Sequence, residues 1–239
     1  MSQDLLIDVP GRGEVAAILD RPASASCLLV LAHGAGAGMR HIFMDEITRR
    51  LGERGVAVLR YQFPYMEAGR RGPDRPPVLA AAVRAAIDAG HAAAPDLPLF
   101  AGGKSMGGRM SSTAMSSPDL SSPGISSPGM SSPDNAPPDV RGLIFFGFPL
   151  HPAGRPGTVR GDHLAQVEPP MLFLQGTRDK LAELELLRPI CDQLDSATLH
   201  VVDGADHGFH VLKRSGRTDA EVLDELADTA VAWTRQLAA

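Results

Sequence analysis

Short apolar and β-branched runs alternate with longer amphipathic stretches along the chain. The runs are Ala16–Leu19, Cys27–Ala32, Val56–Tyr61, Leu97–Ala101, Val140–Phe146, Met171–Leu174 and Thr198–Val202. Their length and residue types predict strands. Helical spacing of apolar positions predicts helices over Met39–Arg54, Val78–Ala92, Gly107–Met115, Leu181–Leu194 and Asp219–Leu237. The later strands are almost continuously apolar, as expected of parallel strands covered on both faces. The alternation predicts an α/β architecture, a mostly parallel central sheet flanked by helices on both faces. No helix separates the first two runs, so an antiparallel edge is expected there.

One segment breaks the pattern. From Ser116 the chain reads SSPDL, SSPGI, SSPGM, SSPDN. Proline every fifth residue removes backbone donors and blocks helix, and the Ser and Gly neighbours favour turns. The unit is too short for a solenoid repeat. Residues 116–138 therefore read as a flexible surface insertion, and a docking linker is the rival reading. The insertion accounts for six of the 20 prolines. The rest has the size of one compact domain, so 1–239 is expected to be a single domain. Only Phe148–Gln166 separates strand Val140–Phe146 from strand Met171–Leu174, which leaves little room for a large lid.

Composition narrows the function. The chain has 239 residues, 44 % apolar and 21 % charged, ordinary values for a globular protein. A net charge of −5 argues against a nucleic-acid partner held by phosphate neutralisation. No run of 18 apolar residues is present, so no membrane span is expected. Met1–Asp4 lacks the basic start of a secretory leader. Cys27 and Cys191 lie far apart in apolar or amphipathic contexts, which fits buried free thiols in a reducing cytoplasm.

The candidate chemistry sits just after strands, where α/β sheets gather active groups. Gly103-Lys104-Ser105-Met106-Gly107 matches G-x-S-x-G between a predicted strand and a predicted helix. That is the setting of a nucleophile elbow, with Ser105 presented at a helix N-terminus. Gly103-Lys104-Ser105 also ends like a phosphate-binding loop, but the first glycine of that motif would be Pro98.

A serine nucleophile needs a base and an orienting acid. Asp179 follows strand Met171–Leu174, and His207 follows strand Thr198–Val202. The order Ser105, Asp179, His207 is the order this elbow requires. Asp179 could also cap a helix starting near Lys180, and the two roles can coexist. Asp203 and Asp206 are rival acids and His210 a rival base. His41, His91 and His200 read as surface or helix-face residues. The oxyanion needs two donors. The amide of Met106 is one, and the amide of Ala35 in His33-Gly34-Ala35-Gly36-Ala37-Gly38 is the other, with Gly34 next. Gly34-Ala35-Gly36 also begins like a dinucleotide fingerprint, but its third glycine would be Met39. No convergent metal-ligand set is seen.

These segments, together with Phe146-Gly147-Phe148-Pro149-Leu150-His151-Pro152, Gln175–Asp179 and Gly204–His207, resemble the α/β hydrolases in kind and order. More narrowly, the chain is similar to small single-domain bacterial relatives of dienelactone hydrolase. It also resembles the group containing the testis-expressed protein and a chromatin-complex subunit. The resemblance implies the α/β-hydrolase fold, a Ser–His–Asp serine hydrolase and no cofactor. Dienelactone hydrolase uses a cysteine nucleophile, where this chain has Ser105. The expected substrate is a small carboxylic ester, met by a monomer or small homo-oligomer. A thioester is the alternative substrate, and a non-catalytic interaction protein is the alternative role. Arg70, Arg71, Arg75, Arg155 and Arg160, with His151 and His163, raise the expectation of an acidic substrate, against solvated loop charge.

Overall fold

The computed structural model describes residues 1–116 and 138–238. Within the repeat, residues 117–137 lie outside the described residues, so its reading as a flexible insertion is not addressed. Eight strands are β1 Ser2–Val9, β2 Gly13–Asp20, β3 Cys27–Ala32, β4 Val56–Tyr61, β5 Leu99–Lys104, β6 Val140–Phe146, β7 Met171–Gly176 and β8 Ala197–Val202. The helices are α1 Ile42–Glu53, α2 Pro64–Glu67, α3 Pro76–Ala93, α4 Met106–Ser116, α5 Leu184–Asp192 and α6 Asp219–Ala238.

One sheet carries all eight strands in the order β1-β2-β4-β3-β5-β6-β7-β8. From β4 to β8 every neighbouring pair is parallel. This is the α/β-hydrolase fold, and no large lid occurs among the described residues.

The antiparallel edge is built differently from the expectation. β2 pairs antiparallel with β4 and with β1, and β3 lies beyond β4. β1 escapes a periodicity reading because it is a mostly exposed edge strand, burying only Ile7 and Val9. α5 begins at Leu184 rather than near Leu181, after a turn around Asp179.

Side chains alternate across the sheet, and both faces are covered. Cys27, Leu29 and Leu31 pack with Phe43, Ile47 and Leu51 of α1 and with Leu226 and Trp233 of α6. Leu28, Val30 and Ala32 join Leu79 and Val83 of α3 and Met110 of α4 on the other face. Burying each such side chain contributes roughly 1.5–3 kcal/mol, so a continuously apolar strand is stable only when sandwiched. Cys27 and Cys191 are buried and free. Because β3 and β5 to β8 run in one direction, the loops after them meet at one edge of the sheet.

Candidate active site

Ser105 is the single residue between β5 and α4. It has φ 52, the left-handed region that an L side chain occupies only under constraint. Two bonds hold it there. Its N–H donates to the Phe146 carbonyl at 3.1 Å, and its carbonyl accepts from Arg109 N–H at 3.2 Å. The flanking glycines are dictated by contact. A Cβ at Gly103 or Gly107 would stand 2.5 or 2.4 Å from the Ala32 carbonyl oxygen. Met106 opens α4, so its amide sits at the positive end of the helix dipole.

His207 and Asp179 reach Ser105 from two other loops. His207 Nε2 lies 2.8 Å from Ser105 Oγ, and His207 Nδ1 lies 2.7 Å from Asp179 Oδ2. The carboxylate can only accept, so Nδ1 carries the proton and Nε2 faces the hydroxyl as acceptor. Asp179 is 4 % exposed. Its Oδ2 also accepts from Gln175 Nε2 at 2.6 Å, and its Oδ1 from Leu181 N–H at 2.7 Å.

Asp179 therefore does not cap the following helix. The N-cap of α5 is Glu183, and Asp179 instead shapes the turn before it. The rival acids are occupied elsewhere. Asp206 Oδ1 accepts from the N–H groups of Gly208 and His210, and Asp203 accepts from Thr177 Oγ1. The rival base His210 pairs with Asp219 at 2.7 Å. Of the remaining histidines, His41 caps α1 by accepting from Phe43 N–H, and His200 pairs with Glu225.

The loop after β3 lies against Ser105, since a Cβ on Gly34 would be 3.7 Å from Ser105 Cβ. His33 fixes this loop from inside. It is fully buried, its Nδ1–H donates to the Gly34 carbonyl at 2.7 Å, and its Nε2 accepts from Phe63 N–H at 3.1 Å. Burial pushes its pKa down to about 4, which keeps the ring neutral and able to make both bonds. The loop is also tied by Gly36 N–H to Tyr65 Oη at 2.9 Å.

Ser105 and His207 open into a cavity of about 570 Å³. Gly34, Ala35 and Lys104 line it beside them. Its other walls are mainly apolar, with Ile42, Phe43 and Met44 of α1 facing Phe209, Leu181 and Leu223. None of the five loop arginines lines this cavity. His151 is buried against Glu183, and His163 sits beside Ser112 Oγ at 2.8 Å. The acidic-substrate expectation loses its geometric basis here.

Three residues beside Ser105, Asp179 and His207 carried no role in the sequence reading. Gln175 holds Asp179 while its Oε1 accepts from Phe148 N–H. Its signal was a polar residue one position from the end of an otherwise apolar, fully buried strand. His33 and Lys104 stood inside recognised motifs, but the Phe63 amide that His33 accepts from and the His207 carbonyl that Lys104 donates to lie 30 and 103 residues away in sequence.

A family model described as an alpha/beta hydrolase domain matches residues 25–235. The chain belongs to the α/β hydrolase family. Its fold is similar to that of dienelactone hydrolase from Anabaena variabilis, with TM-score 0.72, 19 % identity, and 99 % of this chain and 98 % of that chain covered. It is also similar to a lid-less α/β serine hydrolase from Xanthomonas campestris, with TM-score 0.70, 21 % identity and coverage of 97 % and 94 %. A cold-adapted esterase from an Arctic intertidal metagenomic library matches with TM-score 0.61, 19 % identity and coverage of 95 % and 93 %.

Proposed function

We propose that the protein is a serine hydrolase that cleaves small carboxylic esters through an acyl-enzyme. The observation that carries this reading is the unbroken chain Ser105 Oγ, His207 Nε2, His207 Nδ1, Asp179 Oδ2, at 2.8 and 2.7 Å. His207 takes the serine proton as Ser105 attacks the ester carbonyl. The amides of Met106 and Ala35 receive the developing oxyanion. Asp179 holds the imidazole tautomer and stabilises its charged form. His207 then protonates the leaving alcohol and later activates the water that releases the acid. No step calls for a metal or an organic cofactor.

The cavity walls support an apolar acyl or alkoxy group on that ester rather than a carboxylate-bearing one. The two buried free thiols support a reducing, cytoplasmic setting. A monomer or small homo-oligomer is sufficient, because all named groups come from one chain.

A fluorophosphonate probe tests the reading. The expected result is stoichiometric labelling of Ser105 and loss of labelling and esterase activity in Ser105→Ala. Unlabelled wild-type protein, or unchanged activity in Ser105→Ala, defeats it.

A further inference from the structure

Lys104, the residue before Ser105, reaches the histidine loop. Its Nζ donates to the backbone carbonyl of His207. The same ammonium stands 5.5 Å from the centre of the Phe43 ring and 5.1 Å from that of Phe209. Those rings stack on each other with centres 5.8 Å apart. A cation over aromatic faces is attracted by the ring quadrupoles, more so when desolvated.

The surroundings look arranged for this contact. A Cβ at Gly147 would lie 3.2 Å from Lys104 Nζ and 3.4 Å from His207 Nδ1. Gly147, with φ 73, thus leaves room for ammonium and imidazole side by side. Phe209 has φ 65, a left-handed conformation that is costly for a bulky residue. It places the Phe209 ring against Lys104 two residues after His207.

Resting on the hydrolase reading, we propose that Lys104 is a positioning residue for His207, clamping its backbone carbonyl so that the imidazole stays in line with Ser105 Oγ. It ties three separate elements together: the elbow, α1 through Phe43 and the histidine loop through His207 and Phe209. The clamp costs fold stability, because a buried ammonium is desolvated. That desolvation pushes the Lys104 pKa down to about 8, against the opposing pull of Asp179 and Asp206. A purely structural position would be better filled by an apolar side chain.

The charged neighbours leave Lys104 as the group that titrates on the alkaline side. Asp179 and Asp206 are the carboxylates whose charge acts on this ammonium. His210, raised by its hydrogen bond to Asp219, is the one competitor and serves as a control. Across the cavity Glu46 is bonded to Arg49 and Arg50, and His41 caps α1. Loss of the Lys104 charge removes the cation–ring attraction and weakens the bond to the carbonyl.

The rate of Ser105 labelling by a fluorophosphonate, followed from about pH 6 to about pH 10, tests this without knowledge of the substrate. In the wild type the rate constant should fall above about pH 8. Lys104→Met should label about tenfold more slowly near neutral pH and lack the alkaline fall, with an unchanged or higher Tm. His210→Asn should keep the fall. A wild-type profile flat from about pH 7.5 to 10 overturns the proposal, as does a Lys104→Met profile equal to the wild type. If Lys104→Met does not accumulate as folded protein, the wild-type profile alone decides. An unlabelled wild type overturns the hydrolase reading and this inference with it.

Discussion

His33 shows how one buried ring links sequence to site. Its two ring nitrogens bond the Gly34 carbonyl and the Phe63 amide, and the second bond, accepted by Nε2, exists only while the ring is neutral. The folded pKa of about 4 lies below the ordinary histidine value. The unfolded chain therefore takes up the proton first as pH falls. Stability from His33 is full above about pH 6.5 and is lost progressively down to about pH 4, in total roughly 3 kcal/mol. Urea unfolding across that range should show this loss. His33→Gln should be less stable near neutrality by about 1–3 kcal/mol but should lack that part of the acid slope. An unchanged slope in His33→Gln would assign the acid sensitivity to other groups. Gln175 acts at the same scale, since one amide bridges Asp179 and the Phe148 backbone and fixes both.

At the scale of elements, α1 supplies one wall of the cavity and also packs against the sheet. Phe43, Met44 and Ile47 are buried, while Ile42 at its first turn is 68 % exposed and lines the cavity. An exposed isoleucine at that place suits contact with an apolar group on the substrate. Ile42→Ser should lower kcat/KM for hexanoyl and octanoyl esters about three- to tenfold while leaving acetyl esters near wild type. Equal effects on all chain lengths would show that Ile42 does not touch the acyl group.

The sandwiched strands β3 to β7 were legible because burial on both faces makes them largely apolar. β1 was not, because an edge strand half open to solvent carries no such signature. The loop positions of Ser105, Asp179 and His207 were legible because each follows a strand end in a fixed chain order. Lys104, His33 and Gln175 were not assigned roles, because each has a partner brought to it by the fold: the His207 carbonyl, the Phe63 amide and the Phe148 amide. Asp179 was compatible with two local roles, and the bond to His207 together with the start of α5 at Leu184 separates them.

At the scale of the molecule, the sheet has two ends with different duties. The groups around Ser105 sit at the carboxyl ends of β3, β5, β7 and β8. The repeat joins α4, which ends at Ser116, to β6, which begins at Val140. Val140 pairs with Leu99 at the start of β5, whereas Phe146 pairs with Lys104 beside the nucleophile. Six residue steps along β6 separate those two pairs, about 20 Å at the usual strand rise. The repeat thus enters and leaves the described fold at the end opposite Ser105. Replacing residues 117–137 by a short Gly/Ser linker should leave the Ser105 labelling rate within about twofold of wild type. A drop of more than about tenfold in a variant with unchanged circular dichroism and Tm would mean that the repeat reaches the site. An unchanged rate would leave the sheet's carboxyl edge, with α1 and the two loops around His33 and His207, as the whole of the machinery.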